Sequence, residues 1–214
     1  MKNFKPILTA MSLCMALAAA AAPVRQHLHD DWQFRQARLN NWYPATVPGT
    51  VHTDLMANRI IEDPYFRLNE RGVQWVDKED WIYEVSFDAG TLTRGYEHVR
   101  LEFLGLDTYA DVFLNETRIL TANNMFRRWA AEVKPLLKER GNVLRVYFHS
   151  PINKALPQYE SLPYRYEAWN DQADNGGLDG KKLSPFTRKA GYHYGWDWGP
   201  RLPDAGLFRE ASVL

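Results

Sequence analysis

The chain has 214 residues, with Lys+Arg 26 against Asp+Glu 26, which suits one large domain or two small ones and falls short of the about 250 that a (β/α)8 barrel takes. A formal net charge of +0 with no basic run excludes the footprint of a nucleic-acid or anionic-membrane binder, and 45% hydrophobic with 24% charged residues excludes a disordered chain. The outlier is aromatic content, at 14% with Trp 8. Trp and Tyr join a broad apolar face to a polar handle, so an excess of them suits carbohydrate contact, a protein interface, or a β-sandwich core.

Taken in chain order, the first segment reads as a secretory leader, residues 1–22. Lys2 and Lys5 give a positive start, residues 7–18 are apolar apart from Thr9 and Ser12, and residues 19–22 offer Ala-x-Ala cleavage choices. The apolar stretch is too short to span about 30 Å of hydrocarbon. Cys14 is the one cysteine and lies inside it, so the mature chain, 23–214, is expected to have no disulfide, no Cys-ligated metal and no thiol nucleophile. It is expected to be exported, to the periplasm or the medium. Next, His27-x-His29 has strand donor spacing but no third ligand within sequence reach, so no metal is expected there.

Residues 47–70 are rich in Pro, Asp and aromatics and are expected to wrap a sheet edge, with Thr50 capping a short helix through Val51, Leu55 and Met56. Asp77, Glu79 and Asp80 beside Lys78 look like a solvated hairpin approach. Then strands dominate. Trp81, Tyr83, Val85 and Phe87 alternate with Ile82, Glu84, Ser86 and Asp88; Val99, Leu101 and Phe103 repeat the period, as do Leu144, Val146 and Phe148 after a Gly141-Asn142 turn. Residues 108–114, apolar on both faces, suit a more central strand, with Asn115-Glu116 turning into residues 118–120. Residues 133–138 are expected to form a turn despite Pro135. Strands spaced by turns, without helical periods between them, predict an all-β antiparallel sandwich.

Residues 150–190 break the pattern, being dense in Pro, Asn, Asp, Gly and Tyr. A segment that long is either functional or disordered, and seven aromatics in or just past it (Tyr159, Tyr164, Tyr166, Trp169, Phe186, Tyr192 and Tyr194) argue for function. It runs into GYHYGWDWGPR from Gly191 to Arg201. Glycines at 191, 195 and 199 are expected to permit tight turns. Two arrangements fit. Either Trp196 and Trp198 cover a sugar ring while the Asp197 carboxylate accepts from its hydroxyls, or both indoles are core and Asp197 pairs with Arg201. No HExxH, GxSxG or phosphate-binding glycine loop occurs.

These residues resemble the N-terminal domain of β-mannosidases of glycoside hydrolase family 2, from about His27 to Leu214. The matching stretches are VPGTVHTDL from Val47, DPYFRLNE from Asp63, VQWV from Val73 with DWIY from Asp80, GLDTYADVFLN from Gly105, NMFR from Asn124, and RKAGYHYGWDWGPR from Arg188. The GWDWGP run marks the mannosidase branch. The resemblance implies a jelly-roll sandwich of the galactose-binding type packed on a catalytic (β/α)8 barrel further along the chain, with 150–200 a site-forming loop. Trp196, Asp197 and Trp198 would contribute to the terminal-mannose subsite, Asp197 bonding sugar hydroxyls, with no cofactor. The parent reaction would be retaining hydrolysis of terminal β-mannosyl residues by two glutamates about 5–5.5 Å apart, both in the barrel. Asn69-Glu70 and Asn115-Glu116 echo the Asn-Glu pair of such barrels, but neither follows a barrel strand. Two departures stand out: Glu116 replaces the usual turn glycine, and the sequence stops at Leu214 as a strand from Leu207 begins. The chain alone is therefore expected to be catalytically inactive; a free-standing carbohydrate-binding module is the alternative.

Overall fold

The computed structural model describes residues 24–214; the leader and Cys14 lie outside them. Ten strands form two antiparallel sheets. In chain order these are β1 (Gln26–His27), β2 (Gln33–Gln36), β3 (Tyr43–Pro44), β4 (Trp81–Phe87), β5 (Arg100–Phe103), β6 (Tyr109–Leu114), β7 (Thr117–Asn123), β8 (Trp129–Glu132), β9 (Asn142–His149) and β10 (Ala211–Val213). The larger sheet has the order β3-β2-β4-β9-β6-β7 and the smaller β1-β10-β5-β8. The all-β sandwich expected from the sequence is the fold observed.

Period-2 patterning does the work of register. On β9, Asn142, Leu144, Val146 and Phe148 are buried while the residues between them are half-buried; on β4, Trp81, Tyr83, Val85 and Phe87 point the same way, and Ile82 is buried as well. The two strands pair with Trp81 opposite Phe148 and Val85 opposite Leu144, so a one-residue slip would turn both apolar rows outward. Phe34, Tyr83, Phe103, Leu101, Val112 and Phe148 form one core cluster between the sheets. β6 lies next to the edge strand β7 rather than centrally, and one face only is fully buried. The turn to β7 places Asn115 at φ 48 and Glu116 at φ 69, a pair of left-handed conformations that favours Gly at the second position. Glu116→Gly is therefore expected to raise stability by about 0.5–1 kcal/mol in chemical denaturation, with no change of fold.

The helix α1 (Val51–Ala57) begins where expected, with Thr50 at its N-cap in a capping box with Thr53. A one-turn helix, α2 (Leu92–Gly95), precedes β5. Within residues 133–138, Lys134–Leu136 make a 3-10 turn. The segment 150–190 is not the open loop expected. It starts with α3 (Pro151–Ser161), whose N-cap Ser150 accepts from the Asn153 N–H at 3.0 Å. Ser at N-cap followed by Pro at the first helical position is a start signal; Pro157 inside the helix obscures it. Ile152, Ala155, Leu183 and Tyr194 then build a second small core under this segment.

Backbone pairing ties the C-terminal segment to the start of α1: Gly49 N donates to Leu207 O at 2.9 Å and Val51 N to Ala205 O at 2.8 Å. Gly206, at φ +150, permits this approach, since a Cβ there would meet Gly49 O at 2.7 Å. The regular strand near the end is β10, beginning at Ala211 rather than Leu207.

Candidate functional site: an aromatic loop held by buried ion pairs

Residues 189–204 are pinned to the sandwich by charges out of water. Arg201 is 0% exposed, and its Nη1 donates to Asp77 at 2.6 Å and to Gln74 at 2.8 Å. Its backbone N donates to Glu70 Oε1 at 2.7 Å, and its carbonyl accepts from Gln74 Nε2 at 2.8 Å. At the other end Lys189, also buried, donates to Asp107 and to the Asp204 carbonyl, the latter at 2.7 Å. His193 lies between them, with Nε2 3.9 Å from Asp107 and Nδ1 3.2 Å from the Leu202 carbonyl. That carbonyl only accepts, so Nδ1 carries the proton. Burial, with the charge of Lys189, lowers the His193 pKa against the opposing pull of Asp107, Leu202 and Asp204.

The first turn of α1 supplies the remaining anchor. Asp204 accepts from the backbone N of His52 at 3.2 Å and lies 2.9 Å from His52 Nδ1. Burial would raise its carboxyl, but the charge of His52, together with hydrogen bonds and Lys189, holds it well below the usual range. Asp54, on the same helix, accepts from Tyr83 OH at 2.7 Å and from Thr46 N at 2.9 Å. Burial pushes Asp54 up to about 6, although those two bonds oppose the rise. A carboxyl whose folded pKa exceeds its unfolded value stabilises the native state increasingly as pH falls through the folded value. Relative to Asp54→Asn, the native chain is thus expected to gain about 1 kcal/mol between pH 7 and pH 5, read from urea unfolding.

The loop projects from this base. Gln172 holds it at the turn, its Nε2 donating to the Trp196 carbonyl and its backbone N to Tyr194 O at 2.8 Å. Gly195 takes φ +98, where a Cβ would lie 2.8 Å from the Gln172 side chain; of the three loop glycines it alone has this requirement, as 191 meets nothing within 4 Å and 199 only Trp196 Cβ at 4.0 Å. Trp196 N donates back to Gly199 O at 3.1 Å. The tight turn sets the Trp196 and Trp198 rings 6.3 Å apart at 46°, with the exposed Asp197 between them in sequence. Trp196 is half-buried and Trp198 is 79% exposed. Among the described residues no side chain donates to the Asp197 carboxylate. A carboxylate flanked by indoles and fixed by backbone bonds can accept paired hydroxyls while the rings cover apolar ring faces.

Of the two arrangements open at the sequence level, the second is not observed: Arg201 is taken by Asp77, and Trp198 is not core. The acidic run before β4 is likewise not a solvated approach. Asp77 is 3% exposed, and Asp80 accepts from Tyr147 OH and Ser150 N, both at 2.7 Å. Glu70 serves as acceptor for the Arg201 backbone, and Asn115 accepts from Val143 N at 3.0 Å, so these two residues have structural roles. The His27-x-His29 pair does have a third donor, Glu210, which the β1–β10 pairing brings beside it. Lys189 and Asp107 lie inside the stretches quoted above, but nothing in the local sequence marks these two or Asp204 as buried.

The two sheets and the presented loop define a galactose-binding-like β-sandwich. Residues 32–209 match the glycosyl hydrolase 2 galactose-binding domain-like family, and the chain belongs to that family. Among relatives, β-mannosidase B of Thermothelomyces thermophilus is 38% identical over 190 residues, which is 87% of this chain and 21% of that protein. The β-mannosidase of Bos taurus is 33% identical over 188 residues, again 87% of this chain and 21% of the relative. Among solved structures, a β-D-mannosidase from Dictyoglomus thermophilum superposes with TM-score 0.82 at 37% identity, covering 90% of this chain and 22% of the other. The chain thus spans about a fifth of the length of the relatives it matches.

Proposed function

We propose that this domain supplies part of the terminal-mannose subsite of an exported β-mannosidase, with Asp197 accepting from sugar hydroxyls and Trp196 and Trp198 flanking the ring. The observation that carries this is an exposed carboxylate, flanked in sequence by two indoles, on a loop whose ends are fixed by the buried Arg201–Asp77 and Lys189–Asp107 pairs. Binding residues are often carried on loops positioned by a rigid scaffold, and the buried ion pairs give this loop such a base. The substrates are β-mannosides and mannooligosaccharides, cleaved at the non-reducing terminal residue with retention. The two catalytic glutamates belong to a (β/α)8 barrel outside these 214 residues, so the chain alone is inactive. The leader directs export to the periplasm or the medium. Among the described residues no helix is long and apolar enough to cross a membrane.

Calorimetry on the purified chain with mannobiose and mannan tests the division of labour. A half-site gives no measurable heat of binding. Saturable binding by the isolated chain, lost in Asp197→Ala, would instead establish a free-standing carbohydrate-binding module.

A further inference from the structure

The antiparallel pairing of β1 with β10 sets Gln26 opposite Val213 and His27 opposite Ser212, and the Leu28 N to Ala211 O bond at 3.0 Å continues the ladder, bringing Glu210 across from His29. Residues 27 and 29, two apart on an extended chain, share a face; their rings stack at 5.1 Å and 26°. One donor atom from each of His27, His29 and Glu210 lies within 4.8 Å of the others. His27 Nδ1 and a Glu210 oxygen are 3.6 Å apart, close to the roughly 3.3 Å edge of a tetrahedron built from bonds of about 2.0–2.1 Å.

We propose that His27, His29 and Glu210 bind a divalent transition-metal cation of the zinc class, fastening the two-residue strand β1 to β10. Two imidazoles with one carboxylate suit zinc and its neighbours, not the oxygen-seeking Mg2+ or Ca2+. One of the two imidazoles has the outer contact of a ligating histidine. His29 Nδ1 lies 3.4 Å from the Val47 carbonyl, which can only accept; this keeps the proton on Nδ1 and frees Nε2. Ser212 Oγ is 3.2 Å from His27 Nδ1 and accepts from Arg25 Nη1 at 3.4 Å; on binding, His27 Nδ1 exchanges this hydroxyl for the ion. Arg25, two residues before His27, is engaged by Glu102 at 3.1 Å. Both histidines are exposed and Glu210 half-buried, so the ion has an entry path and the rings have room to turn.

Thermal unfolding of the full 214-residue chain tests this site. Zinc at about 100 times its Kd raises the midpoint by roughly 5–10 °C, whereas Mg2+ leaves it unchanged. Each of His27→Ala, His29→Ala and Glu210→Gln, all on the surface and expected to fold, abolishes the zinc shift. Co2+ gives the visible absorption of a tetrahedral N/O site in the native chain and not in the three variants. A zinc shift that survives these substitutions, as binding at Cys14 would, overturns the proposal, as does the absence of any shift.

Discussion

Arg201→Met is expected to destabilise the domain by about 3–5 kcal/mol, because it leaves the Asp77 carboxylate, 3% exposed, without its counter-charge. At about 2–4 °C per kcal/mol for a chain of this size, the thermal midpoint should fall by roughly 10 °C. Burial already raises the Asp77 pKa, and the Arg201 charge is what opposes the rise. Without Arg201 the carboxyl takes up a proton more readily in the folded state, so the loss should be largest near neutral pH and shrink as pH falls. The pair is itself imperfect: Arg201 Nε and Nη2 and Asp77 Oδ1 have no partner among the described residues. A double variant, Arg201→Met with Asp77→Leu, should therefore recover most of the stability, since replacing both members of a buried pair by apolar groups is often close to neutral. The same double variant should still lose the side-chain bond to Gln74 Oε1, while the backbone bonds of residue 201 to Gln74 and Glu70 remain to hold the loop.

Asp197→Ala is expected to leave stability within about 0.5 kcal/mol, as for exposed positions generally, yet to lower kcat/KM for β-mannosides by about 10²-fold or more in the longer protein. Hydrogen bonds to a charged acceptor contribute about 1.5–3 kcal/mol each, and two of them lost in the transition state give this range. Asp197→Asn, which keeps one acceptor oxygen in place, should recover part of the activity. Steady-state kinetics beside a denaturation curve separates this from misfolding: stability unchanged with turnover near normal would remove Asp197 from the site.

Much of the sandwich is legible in the sequence because its information is local. Period 2 across Trp81 to Phe87 and across Leu144 to Phe148 fixes which face is buried, whereas the partnering of these two strands is set by the fold. The loop carrying Trp196, Asp197 and Trp198 is likewise visible as a run of aromatic and Gly residues. What holds that loop is not legible, because the Arg201–Asp77 contact joins residues 124 apart and Lys189–Asp107 residues 82 apart. A charged residue carries no local mark of burial; only the fold decides whether Asp77 is solvated or locked in an ion pair. The third metal donor is missed for the same reason, since Glu210 meets His27 and His29 only through the β1–β10 ladder. The α3 helix is a different case. Its start signal at Ser150-Pro151 is present, but Pro157 and a polar composition masked a helix that packing through Ile152 and Ala155 sustains.

The most direct test of the Asp197 role crosses substrate with protein. In the longer enzyme, kcat/KM is measured for a terminal β-mannoside and for analogues each lacking one ring hydroxyl, with native Asp197 and with Asp197→Ala. If the carboxylate bonds the sugar, at least one deletion that costs about 10-fold or more with Asp197 present will cost little once it is gone, as the two changes remove the same contact. If every deletion costs the same in both proteins, Asp197 does not touch the sugar, and the loop has some other task.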